Sequence, residues 1–174
     1  MKKIILISTL LFFTNVLADD HSDLDSSINK HQELFENIAM QIWDIAEVGY
    51  QEYKSSKLLQ DTLKDHGFNI QNNVANIPTA FIAEYGSGKP VIAILGEFDA
   101  LPGVAQSASP FKQPYKDNQA GHACGHHLFG SGSAWSSVVI KDWLIANKIK
   151  GTIRFYGTPA EEGGSGKVYM VREG

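Results

Sequence analysis

The chain has 174 residues, 43% of them hydrophobic and 20% charged, with a formal net charge of −4. That length builds one ordinary domain around one core and is too short for two large ones. The composition is that of a folded globular protein, and the acidic balance offers no basic surface for a nucleic-acid backbone.

The opening MKKIILISTLLFFTNVLADD reads as a secretory signal peptide. Lys2 and Lys3 precede an apolar run from Ile4 to Phe13, and Val16 and Ala18 stand at the small-residue spacing of a cleavage site. The run is shorter than the roughly 20 residues a bilayer span needs. The expectation is cleavage after Ala18, no stable membrane anchor afterwards, and a secreted or periplasmic mature chain.

Beyond a polar lead-in, Leu34, Ile38, Ile42 and Ile45, thickened by Ala39 and Ala46, recur at helical spacing. They predict an amphipathic helix over 32–47, ended by Gly49. A second helix is predicted over 53–66, with Leu58, Leu59 and Leu63 on one side and Gly67 as its C-terminal cap. Residues 68–74 follow as a short strand. Two apolar runs, 80–85 and 91–95, parted by the turn-rich GSGKP, predict a hairpin. The second run is apolar on both faces, as a central strand covered by helices would be, and delivers Glu97 and Asp99 just past its end. Polar segment 103–120 is a loop, and 127–147 a helix whose Gly130, Ser131, Gly132 and Ser133 predict close packing on a sheet. A strand over 152–156 carries Gly157 to Glu162 beyond its end. Trp43, Trp135 and Trp143 are expected in core packing, and His21, His31 and His66 at the surface. Functional groups placed after successive strands follow the logic of an α/β fold.

Between Gly121 and His127 the chain reads GHACGHH, three of its six histidines and its only cysteine in seven positions. Thiolate and imidazole are strong ligands for zinc-like ions, and Cys124 and His126, two apart, can be aimed at one ion. Cys124 has no intramolecular disulfide partner, and its glycine and histidine neighbours favour a metal thiolate over a buried inert thiol or an intermolecular bridge. Two acidic pairs stand after predicted strands: Glu97 and Asp99 in GEFDALP, Glu161 and Glu162 in TPAEEGG. Together they form the inventory of a hydrolytic metal centre. Thiol redox work would want a second cysteine, and metal storage would not need the acidic pair.

GEFDALPG, GHACGHHLFG and GTPAEEGGSGK, in this order, resemble the aminoacylase and carboxypeptidase family of co-catalytic metallopeptidases, within it the amidohydrolase branch of the aminobenzoyl-glutamate hydrolases. The resemblance implies an α/β fold, the N-terminal portion of a three-layer αβα zinc-peptidase-like catalytic domain with a mixed sheet. That domain would occupy 19–174, with a second, dimerisation domain and a C-terminal part outside the chain. It implies Cys124, His126 and Glu162 as metal ligands, Glu161 as general base, and Asp99 as the aspartate that orients a ligand or the water. Glu97 stands where other branches carry a histidine ligand, and its role is left open, while His122 and His127 are expected to support the site rather than coordinate. The cofactor would be a divalent metal, manganese or zinc, with two ions in the full-length protein. The partner would be a small-molecule amide, an N-acyl amino acid or dipeptide, and full-length relatives would be homo-oligomers. On this reading the chain alone turns over little; the alternative is a catalytically dead remnant or a non-enzymatic metal-binding partner.

Overall fold

The computed structural model describes residues 19–115 and 119–174, so the signal-peptide reading of 1–18 lies outside the described residues. Helix α1, Asp19–Ile45, buries Phe35, Ile38, Ala39 and Ile42 along one stripe of the 3.6-residue period. It begins well before residue 32 because the polar lead-in contains no glycine or proline to break it. Within that lead-in His31, expected at the surface, is only 8% exposed. Its Nε2 meets Asp142 at 2.9 Å, tying α1 to α3 through a partly buried pair that no apolar pattern announces.

Helix α2, Tyr53–Asp65, is followed by strands β1 (Asn69–Asn72), β2 (Phe81–Ser87) and β3 (Val91–Gly96), then helix α3 (His126–Ala146) and strand β4 (Gly151–Gly157). A single irregular turn, α4 (Glu161–Gly164), leads into helix α5, Gly166–Arg172. The sheet order is β1-β2-β4-β3, with β1–β2 and β2–β4 antiparallel and β3–β4 parallel. The expected α/β class and mixed sheet are therefore present.

The predicted hairpin is not. Strands β2 and β3 do not pair, because β4 lies between them and hydrogen-bonds to both. Their connection instead wraps the start of β4, where the Thr152 N–H donates to the Pro90 carbonyl at 2.9 Å and its hydroxyl to the Gly88 carbonyl at 2.9 Å. Gly86, at φ 91°, allows the crossing, since a Cβ there would lie 2.1 Å from the Gly151 carbonyl oxygen. Strand β3 is consequently an edge strand among the described residues rather than a central one. Val91, Ile92 and Leu95 are all more than two-fifths exposed.

Helices α1, α2 and α3 bring Phe35, Ile42, Leu59, Leu63 and Val138 onto Phe81, Ala83, Ile153 and Phe155 of one sheet face. Trp135 and Trp143 pack at the margin of this core, as expected. On the other face α5 lays Met170 against Ile77, Ala80 and Tyr156. One close approach sets up the site: a Cβ on Gly130 would lie 2.4 Å from the Glu97 carbonyl oxygen, so the glycine lets the start of α3 press against the end of β3.

Candidate metal centre

Past β3 the chain keeps the two-residue alternation of a strand. Phe98 enters the core at 0% exposure while Glu97 and Asp99 turn the other way. Leu101 and Gly121 then exchange both backbone hydrogen bonds, at 3.0 and 2.9 Å, which lays the GHACGHH segment beside GEFDALP. Gly125 adopts φ 93°, a left-handed conformation natural to glycine, and starts α3 so that His126 is its first residue.

His126 is buried and its two ring nitrogens do different work. Nδ1 lies 3.0 Å from Asp99 Oδ1 and 3.1 Å from the Asp99 carbonyl oxygen, both acceptors, so this nitrogen carries the hydrogen. In the neutral ring, Nε2 then presents its lone pair to Glu97 Oε2 at 2.9 Å and Glu161 Oε2 at 3.8 Å. That arrangement of acceptors calls for a positive centre between them.

Two groups of ligand atoms converge here, each within 4.8 Å of one another: Cys124, His126 and Glu162, and Glu97, His126 and Glu161. Sulfur, imidazole nitrogen and carboxylate oxygen form a donor set suited to a divalent transition metal. Glu162 Oε1 is buried without a hydrogen-bond partner among the described residues, as expected of an oxygen reserved for an ion. The Cys124 thiol is pushed up by its hydrogen bond to Glu162, by burial and by the charges of Glu162, Glu161 and Glu97. Those same anions would lower their energy around a cation. The donor set thus fits a metal.

Asp99, 1% exposed, joins the two halves. One of its oxygens holds His126, and Oδ2 accepts the Glu162 backbone N–H at 2.8 Å.

The profile of peptidase family M20/M25/M40 matches residues 93–174, the stretch that supplies every one of these donors. Over that stretch the chain is similar to members of this family. It is 46% identical over 153 residues to a p-aminobenzoyl-glutamate hydrolase polypeptide of Escherichia coli K12, covering 87% of this chain and 32% of that protein. A solved dinuclear metal-binding peptidase of the M20 family from Bacillus subtilis superposes with a TM-score of 0.59 at 29% identity, covering 82% of this chain and 40% of that one. A putative aminohydrolase from methicillin-resistant Staphylococcus aureus shares the fold, with a TM-score of 0.72 at 21% identity over 88% of this chain and 39% of that one. The chain thus spans about a third of the length of the curated relative and two-fifths of the solved structures.

His122 and His127 stand apart from both donor groups. His122 Nε2 donates to the Ile42 carbonyl of α1 at 3.0 Å, and its Nδ1 is buried without a hydrogen-bond partner among the described residues. Burial, and then His127, push its pKa down to about 4. The His127 ring lies 5.0 Å from those of both His122 and Trp43, and burial lowers its pKa too. Trp43 thereby backs the histidine pair.

Two residues escaped the sequence reading. Glu52, completely buried, accepts the Ala160 N–H at 2.7 Å and the Thr79 hydroxyl at 3.0 Å, and burial raises its pKa. Ala160 sits at φ 56°, strained for a residue with a Cβ, and Glu52 holds it there so that Glu161 and Glu162 turn back toward His126. Lys167 forms an ion pair with Glu97 Oε1. A carboxylate before a helix and a lysine after a glycine turn are ordinary in sequence, and neither carries a local signal of its role.

Proposed function

We propose that the chain carries part of the active centre of a metal-dependent amidohydrolase that cleaves the amide bond of a small N-acyl amino acid or dipeptide, of the p-aminobenzoyl-glutamate hydrolase kind. The observation that carries this is the meeting of Cys124, His126 and Glu162 within 4.8 Å, with Glu161 beside them on the same turn as Glu162. Cys124, His126 and Glu162 would hold a divalent ion. Zinc suits the thiolate and manganese the carboxylates, and two ions are proposed for the full-length protein. A bound ion would supply the acidification of water and the polarisation of the amide carbonyl.

The remaining chemistry falls to the chain. Glu161, with its side chain 43% exposed, opens to solvent and is the general base: it takes a proton from the attacking water and passes it to the departing amide nitrogen. Asp99 fixes the His126 tautomer and, through the Glu162 N–H, the turn that carries the base. The signal-peptide pattern supports export of a mature chain beginning after Ala18, and homo-oligomeric assembly of the full-length protein is part of the same reading.

The test is hydrolysis of a panel of N-acyl amino acids, p-aminobenzoyl-glutamate among them, by the full-length protein after chelation and reloading with Mn²⁺ or Zn²⁺. Metal-dependent release of the free amino acid is expected. Equal rates in chelator and in metal would overturn the reading.

A further inference from the structure

The two donor groups of the centre share one residue, His126. Its Nδ1 is committed to Asp99 at 3.0 Å, so a single lone pair on Nε2 is left to give to an ion. Once the Cys124 and Glu162 side takes that lone pair, Glu97 and Glu161 remain as the only members of the second group. Glu97 is not free either. Its Oε2 faces His126 Nε2 at 2.9 Å, and its Oε1 is ion-paired with the Lys167 ammonium.

The chain is built to bring that ammonium in. Gly166 begins α5 so close to the preceding strand exit that a Cβ would lie 2.1 Å from the Pro159 carbonyl oxygen. Gly164 is pinned in the same way, with a Cβ 2.6 Å from Ala160 Cβ and its carbonyl accepting the Tyr50 hydroxyl at 2.5 Å. The GGSGK segment therefore folds tightly back over the turn, and Lys167 crosses from α5 to the end of β3. Its side chain is 34% exposed and that of Glu97 13%, so the pair is shielded enough for the charge to count.

Resting on the metal-centre reading above, we propose that Lys167 is an internal counter-cation, whose ammonium occupies the Glu97 side of the centre in competition with a second metal ion. The first ion goes to Cys124, His126 and Glu162, and a second can be held by Glu97 only after Lys167 is displaced. Lys167 is thus a positioning residue that sets the affinity gap between two ions, and it keeps Glu97 oriented when one ion is present.

The experiment is calorimetric titration of the metal-free full chain with Mn²⁺ and with Zn²⁺, with metal content per chain measured after desalting. Wild type should retain one tightly held ion. Lys167→Met, which keeps length and removes charge, should bind the second ion at least tenfold more tightly, while Lys167→Arg, which restores the charge, should behave as wild type. Matching circular dichroism spectra check that the variants fold. Two ions of equal affinity in wild type, or unchanged second-ion binding in Lys167→Met beside one-ion wild type, would overturn the inference alone. No ion bound by wild type would overturn the metal-centre reading and this inference with it.

Discussion

Among the described residues two histidines are clasped by carboxylates: His126 at the start of α3, and His31 of α1 against Asp142, which lies about 24 Å further along α3 at 1.5 Å per residue. His31 meets Asp142, but Asp142 also has Lys141 at 2.9 Å and Lys30 at 3.7 Å, so one anion is surrounded by cationic groups. His126 faces Glu97, Asp99 and Glu161, with Glu162 and Cys124 at its side and Lys167 as the ammonium paired with Glu97. The first cluster is balanced and closes a seam between helices. The second has an excess of negative donors, and that deficit of positive charge is what separates a metal centre from a structural ion pair.

The comparison breaks most sharply at Glu161. In the full-length protein Glu161→Gln should cut turnover by about 10²- to 10⁴-fold while leaving metal content intact. Near-normal turnover would show that the base lies elsewhere. Metal should come next: at 100 times Kd an ion that binds only the folded chain adds about 2.7 kcal/mol of stability. The melting temperature should therefore fall on chelation. Cys124→Ala should abolish that response and Asp142→Asn should leave it untouched; a chelation response lost in Asp142→Asn would erase the distinction between the clusters. Asp99→Asn, which weakens the hold on both His126 and the Glu162 turn, should loosen metal about 10- to 100-fold by titration.

The smallest effect belongs to the balanced cluster. Burial pushes the Asp142 carboxyl up, yet hydrogen bonds from His31 and Lys141 and the charges of Lys141 and Lys30 prevail and hold it at about 2, below the ordinary 3.8. A carboxyl depressed in the folded state contributes stability above its unfolded pKa and loses it as pH falls through the folded one. The contribution, about 2 kcal/mol, should thus disappear between about pH 4 and pH 2. Denaturant melts of the metal-free chain should show that loss in wild type and less of it in Asp142→Asn; identical pH profiles would remove Asp142 from the account.

Much of the fold was legible locally. The Leu58–Leu59–Leu63 stripe, the apolar runs of β2, β3 and β4, and the small residues opening α3 are each written in a short window, because period and turn chemistry are local properties. The pairing of those runs was not. GSGKP looked like a hairpin turn because a turn only reverses the chain, and nothing in it reveals that β4 will enter between the strands. His31 was misplaced for a related reason: a polar residue reads as surface until its partner, 111 positions away, is brought to it. Glu52 and Lys167 were invisible on the same ground.

The donors themselves are a property of the chain's chemistry: a lone cysteine, a histidine two residues on and paired acids after a strand announce a cation by their kind and density. Which of them share that cation depends on convergence. The resemblance set His126 apart from His122 and His127, and the docking of α3 at the end of β3 gives the physical arrangement, with one imidazole turned toward four carboxylates and two rings left against Trp43. Local sequence sets what each side chain can bind; burial, and the partners that burial delivers from distant segments, decides what it does bind.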